Sequence, residues 1–176
     1  MDCKHALEET AGDMEKALIV LRKKSSAAAA KKADRSLGAG VVQAYVHSSK
    51  DVGALVALAC ETDFVAKNEE FVVLAHDIAM HATATNPRYI TKEQVKEEDV
   101  SKARELFEEE AKEKPESMRA SIVEGKMSSY LKEQVLMDQP FIKDPSVTVG
   151  EMVERAIQKF GERILVTECT RFSVRA

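Results

Sequence analysis

The residues able to do chemistry fall into a few clusters along the 176-residue chain. His76, Asp77 and His81 share one helix-like run, "FVVLAHDIAMHATAT". The two histidines are five positions apart, whereas ligands on one helix face need i,i+4 spacing, so the trio does not read as a metal site. A hydrolase built on His76 and Asp77 would need both to converge in a pocket. Cys3 with His5, or Cys60 with His47, supplies the types for a thiol nucleophile and its base, but small buried cysteines explain the same residues. Gly38-Ala39-Gly40 precedes a strand-like run, whereas a dinucleotide loop follows a strand and opens a helix. "GKMS" at Gly125 to Ser128 mimics the end of a phosphate loop, yet it lacks the upstream glycine and lies inside a helical pattern. What remains is "CETDFVAKNEEF", Cys60 to Phe71, a polar loop with Asp63 beside a bare Phe64. That ring either seals this protein's own sheet–helix junction or is offered to another molecule. The chemistry reads as a binding protein, with no catalytic residue, metal or cofactor expected.

The elements that must hold the loop are legible from periodicity and punctuation. "MDCKHALEET" and "MEKALIVLRKK" read as two short helices separated by Gly12-Asp13, with Asp13 as cap and Met14, Ala17, Leu18 and Leu21 as an apolar stripe. Helices this short need another element to cover their apolar faces. An alanine-rich helix or linker follows, ended by Gly38-Ala39-Gly40. "VVQAYVH" alternates as a strand, and "GALVALAC" is apolar on both faces, as a central strand is; "SSKDV" between them suits a hairpin. After the loop, Asn68 caps a helix with Glu69 and Glu70 in its first turn and Phe71, Leu74, Ala75, Ile78 and Ala82 buried. Charged helical sequence spans about 91–114, Pro115 opens another helix, and "DQPFIKDPS" reads as a loop. A short helix from Thr148 or Val149 closes at Gly161. The last strand places Ile164, Val166, Phe172 and Val174 on one face. Helices, two strands, helices and a final strand predict an α+β fold: a small antiparallel sheet packed with helices.

Composition sets the limits. A 44% hydrophobic, 32% charged chain of net charge −4 is long enough to bury a core without metal or disulfides. Three widely spaced cysteines suit a reducing compartment, and no apolar run approaches the roughly 18 residues of a membrane span, so a cytoplasmic protein is expected. Residues 22–35 carry six basic residues and one acid. They read as a solvated helix surface or, alternatively, as an RNA- or ribosome-binding patch; an overall basic balance and stacking aromatics, usual in nucleic-acid domains, are missing. Residues 92–116 carry ten acids and six basic residues, which suits a solvent-facing helix with pairs such as Glu98–Lys102 and Glu108–Lys112.

"CETDFVAKNEEF" resembles the signature of the translation elongation factor Ts family: strand, Cys-(Glu/Gln)-Thr-Asp-Phe-Val-Ala, a basic residue, Asn or Asp, then a helix with an early aromatic. The likeness continues, in family order, through "MDCKHALEETAGDMEKALIVLRKK", "AAKKADR", "HDIAMHATATNPRYI", "EGKMSSYLKEQVLMDQPFIKDPSVTVGEMV" and "TRFSV". It implies a guanine-nucleotide exchange factor that binds elongation factor Tu in its GDP-bound and nucleotide-free forms, with no direct nucleic-acid partner. Thr62, Asp63, Phe64 and Val65 would then form the partner-binding loop, with Asp63 and Phe64 intruding near the partner's magnesium site. Phe141 and Ile142 are either a second partner contact or ordinary packing. The family organisation implies an N-terminal ubiquitin-associated-like helical module at 1–24, its first helix apparently missing. An alanine-rich basic helix or linker would follow at 25–40, and an α+β core for dimerisation and partner binding at 41–176. Short relatives pair as homodimers, with the strand near Arg171 as candidate contact. Long relatives add a second core half and a coiled-coil excursion, and a single core is expected here.

Overall fold

The computed structural model describes residues 2–174. Two helices open the chain, α1 (Asp2–Glu9) and α2 (Met14–Ala30). Asp13 caps α2 as expected, its carboxylate accepting from the Lys16 amide at 3.1 Å. α2 does not stop near residue 24. The strong helix propensity of "SSAAAA" carries it without a break to Ala30, across the expected boundary between module and linker. Ser25 and Ser26 face the helix α7 (Val149–Phe160), donating to Gln158 Oε1 at 2.5 Å and Glu154 Oε2 at 2.6 Å. Of the stripe on α2, only Ala17 is buried, while Met14 and Leu18 stand largely exposed.

The sheet consists of β1 (Ala39–Val46), β2 (Val52–Cys60) and β5 (Leu165–Ser173), antiparallel throughout in the order β1-β2-β5. The doubly apolar strand is indeed the central one. Its inward residues Ala54, Val56, Leu58 and Cys60 are buried beneath α4 (Glu69–Thr85). α4 contributes Phe71, Ala75, Ile78 and Ala82, and α7 adds Val149, Val153 and Ile157. Phe71 meets Phe160 edge to face, with ring centroids 6.2 Å apart. Gly40 is required for the β1–β2 pairing, because a Cβ there would lie 2.6 Å from the Leu58 carbonyl oxygen.

β5 departs from the expected facing. Ile164 and Val166 point inward, but Leu58 pairs with Val166 while Ala57 pairs with Glu168, leaving Thr167 as an extra residue. One inserted residue exchanges the two faces of everything after it. Cys169 and Arg171 therefore follow Val166 inward, and Phe172, 59% exposed, and Val174 lie outside. Arg171 tolerates its position because its Nε donates at 2.9 Å to the Thr83 carbonyl, in the negative last turn of α4.

Between α4 and α7 the chain makes a helical hairpin, α5 (Glu97–Ala111) and α6 (Glu116–Gln134). It holds a small satellite cluster of its own, Ala103, Ala111, Val123 and Met127, with Phe107 against Tyr130, beside the main core. Glu98–Lys102 forms as expected at 2.5 Å, whereas Lys112 pairs with Glu109 instead of Glu108. Arg104–Glu124, at 2.8 Å, ties the two helices together. The stretch "DQPFIKDPS" is no plain loop. It contains a short antiparallel hairpin, β3 (Pro140–Phe141) and β4 (Asp144–Thr148). α7 then starts on a capping box between Thr148 and Glu151 and ends at Gly161, whose φ of +72° fits the left-handed cap.

Candidate functional site: the Asp63–Phe64 loop

β2 ends at Cys60; the chain bends at Glu61, is extended at Thr62, and winds one helical turn, α3 (Asp63–Ala66), before Asn68 caps α4. The Asn68 side chain accepts from the Glu70 amide at 2.9 Å. Within α3 the Lys67 amide closes onto the Asp63 carbonyl at 3.0 Å. Successive residues on a helical turn point about 100° apart, so a buried Val65 sends its neighbour outward. Val65 is 3% exposed and belongs to the main core; Phe64 is 81% exposed. The ring does not seal the junction, and the valine does. Val65, expected among the partner-binding residues, is thus an anchor inside this chain.

Asp63 faces solvent beside Phe64. Its carboxylate accepts from Lys67 Nζ at 2.6 Å, and that ammonium group holds the carboxyl below the usual carboxylate range. Both partners are largely exposed, so the pair costs little to separate.

The base of the loop is held by residues the sequence reading did not single out. The amides of Glu61 and Thr62 donate to Glu162 Oε2 at 3.1 and 3.0 Å, and the Thr62 hydroxyl donates to Glu162 Oε1 at 2.6 Å. In return, Glu61 Oε1 accepts from the Arg163 amide at 2.5 Å and from Arg35 Nη1 at 3.3 Å. The Arg163 amide, then Arg35, keep the Glu61 carboxyl below its ordinary range. Cys60 Sγ donates to the Thr62 carbonyl at 3.2 Å; burial first, then the nearby Glu162 carboxylate, pushes its thiol up.

The other candidates lie apart. Phe141 is 5% exposed and packs its ring 5.9 Å from His81, which makes it a core residue and removes it as a partner contact. Ile142 beside it is 42% exposed. His81 is buried in a polar knot: Nε2 donates to Gln139 Oε1 at 2.8 Å, Nδ1 accepts from the Ile142 amide at 3.3 Å, and Thr85 Oγ1 shares Gln139 Oε1 at 2.7 Å. Burial pushes the His81 pKa down. His76 meets the Tyr45 ring and its Nδ1 lies 3.9 Å from the Asp77 carboxylate, but that carboxylate is paired with Lys143 at 2.7 Å and His81 turns into the buried knot, so the three do not form one site. Among the described residues no group of three or more His, Cys, Asp or Glu could hold a metal ion. None of their helices is long and apolar enough to cross a membrane. In the basic segment, Arg22 pairs with Glu151 at 3.3 Å, Lys24 with Glu9 at 3.7 Å and Arg35 with Glu61 at 3.3 Å, which ties half of its cations to carboxylates.

A small α+β protein that braces an exposed aromatic and an acid on two rigid elements belongs to the class of interaction factors. The comparisons narrow the class. Residues 27–176 match the sequence model of the family described as elongation factor TS. The elongation factor Ts of Thermosipho melanesiensis is 46% identical over 176 residues, covering 99% of this chain and 90% of that protein. Those of Carboxydothermus hydrogenoformans and Koribacter versatilis are 47% and 45% identical, and 81% and 80% of their lengths are covered. The chain belongs to the elongation factor Ts family.

Proposed function

We propose that this chain is a guanine-nucleotide exchange factor of translation elongation, and that Phe64 and Asp63 enter elongation factor Tu to loosen its magnesium-bound GDP. The observation that carries this reading is a phenylalanine held on a one-turn helix with its ring in solvent while the next residue is locked into the core. A ring mounted this way loses little ordering entropy on docking. The scheme makes and breaks no covalent bond. The factor binds the nucleotide-free partner more tightly than the GDP-bound one, and by reciprocity it weakens GDP by the same factor. Thr62 sets the loop, Val65 anchors it, and Ile142 is the exposed residue of the second candidate contact. The work is placed in the cytoplasm, where translation supplies the partner.

The test is release of labelled GDP from elongation factor Tu by catalytic amounts of this protein. Burying a phenylalanine in a partner is worth roughly 1.5–3 kcal/mol, so Phe64→Ala is expected to slow release by about tenfold or more. Full exchange by a folded Phe64→Ala protein would end the wedge reading.

We also infer a homodimer through the outer face of the sheet. Val42, Val46, Leu55 and Phe172 are exposed there, on the face opposite α4. Light scattering that gives the monomer mass at micromolar concentration would remove this part without touching the exchange reading.

A further inference from the structure

The β2–β5 ladder runs antiparallel to its last pair, Ala59 opposite Leu165, at the end where β2 delivers the chain to the Phe64 loop. Continued in the same register, Cys60 stands opposite Ile164, Glu61 opposite Arg163, and Thr62 opposite Glu162. The backbone ladder has stopped there, yet the pairing goes on through side chains. Glu162 accepts the Glu61 and Thr62 amides at 3.1 and 3.0 Å, and Glu61 accepts the Arg163 amide at 2.5 Å. Each segment lends a carboxylate to the other's main chain, so the grip of the sheet extends to the residue just before Asp63.

The Thr62 hydroxyl shows where the sequence commits its binding capacity. Thr62 is the N-cap of α3, where a threonine side chain ordinarily accepts from the helix's own first amides. It makes no such bond. It points sideways instead and donates to Glu162 Oε1 at 2.6 Å. One carboxylate therefore receives three donors from two consecutive residues, and charge-assisted bonds of this kind are the stronger ones. Glu162 is itself placed by its neighbour: Gly161 ends α7 in the left-handed conformation, with its amide on the Ile157 carbonyl at 3.0 Å.

We propose that Glu162 is a positioning residue for nucleotide exchange: its carboxylate fixes Thr62, and through Thr62 the direction in which Asp63 and Phe64 project. This inference rests on the exchange reading above, because it concerns the aim of that wedge. Loss of the clamp leaves Phe64 exposed but free to swing, so ordering it is paid at the moment of docking.

Three variants test it in the GDP-release assay, with factor concentration varied so that maximal rate and half-saturation are read separately. Glu162→Ala is expected to lower the maximal release rate by about tenfold. Glu162→Gln is expected to keep it within about twofold, because an amide oxygen still accepts both N–H groups and its NH₂ donates to a rotated Thr62 hydroxyl. In a Phe64→Ala background Glu162→Ala is expected to have a clearly smaller effect, since the clamp then aims only Asp63. Amide hydrogen exchange at Glu61 and Thr62 gives a readout free of the partner: faster in Glu162→Ala, unchanged in Glu162→Gln, with the mid-strand β2 amides protected in both. Wild-type release by Glu162→Ala would overturn the proposal. So would an equal loss on adding Glu162→Ala to Phe64→Ala, which would mark a general loss of stability. If Phe64→Ala alone released GDP at the full rate, the wedge reading would fail first, and the amide exchange of Thr62 would still decide whether the clamp exists.

Discussion

Adjacent residues Phe64 and Val65 should separate binding from folding. Val65 is buried among the core side chains at the β2–α4 junction, whereas Phe64 keeps 81% of its surface in solvent. Truncating each to alanine therefore removes apolar area from different places. For Val65 the lost area comes from this protein's own interior, and the deleted methyl groups with their residual cavity cost about 1–3 kcal/mol of stability. For Phe64 the chain itself loses almost nothing, and a surface truncation stays within about 0.5 kcal/mol. The order reverses in complex formation: Phe64→Ala weakens the hold on nucleotide-free elongation factor Tu by roughly 1.5–3 kcal/mol, while Val65→Ala, below its melting transition, binds within a few-fold of wild type. Urea unfolding gives the first pair of numbers, and titration of nucleotide-free partner gives the second. Equal destabilisation of the fold by both variants would refute the reasoning, because it would mean that Phe64 packs on its own chain in solution. A Val65→Ala protein that unfolds like wild type would refute it from the other side.

Three further outcomes follow from the geometry. His81 is kept neutral by burial, and its folded pKa lies below the ordinary 6.5, so the unfolded state binds a proton the folded state refuses. Stability should therefore fall as pH drops below about 6.5, by at most about 1.4 kcal/mol per pH unit while folded His81 stays neutral; the slope should shrink in His81→Gln, and equal urea midpoints against pH for both proteins would exclude this source. Gly161→Ala forces a Cβ into the left-handed region and should cost about 1–2 kcal/mol in thermal or urea unfolding; an unchanged midpoint would show that the cap tolerates alanine. Cys3 is exposed, Cys60 is buried, and burial pushes the Cys169 thiol up to about 11, so mass spectrometry after iodoacetamide at pH 8 should find one label before unfolding and three after.

The parts of this fold that could be read from sequence are those specified by near neighbours. Asp13 and Asn68 cap the helices they precede, as expected, because a cap is decided within about three residues. β2 is central because apolar residues on both of its faces leave no other place for it. The Phe64 loop stands out as a bare aromatic between a central strand and a capped helix, although the sequence alone leaves open whether the ring turns in or out. What escaped notice depends on residues far apart in the chain. Glu162 looks like one more surface acid until the register sets it against Thr62, exactly one hundred positions away. The signal was there only in part: Gly161 marks a helix end, and the charged pair after it stands immediately before a strand. The extra residue at Thr167 leaves no mark in the alternation of apolar positions, so periodicity alone puts Phe172 and Val174 on the face opposite to the one they occupy. Phe141 and Ile142 are adjacent and both apolar. Phe141 goes inside against His81, a contact with α4 sixty positions away in the chain that adjacency does not reveal.

Contacts with distant residues also explain how the Phe64 loop can be rigid and yet short. A longer loop would need its own core to hold a ring outward. Here the outward direction is produced by three commitments: two to distant parts of the chain, Val65 to the core under α4 and Thr62 to Glu162 just past α7, and one local, Asn68 to the first turn of α4. Asp63 is the residue left with only a local partner, Lys67, and that exposed pair is worth little in solution. In the proposed docking, the Asp63 carboxylate would exchange Lys67 for other donors without disturbing the fold, while Phe64 stays held outward. A wedge needs that asymmetry, with a mounting that does not yield and a tip whose own contacts are cheap to give up.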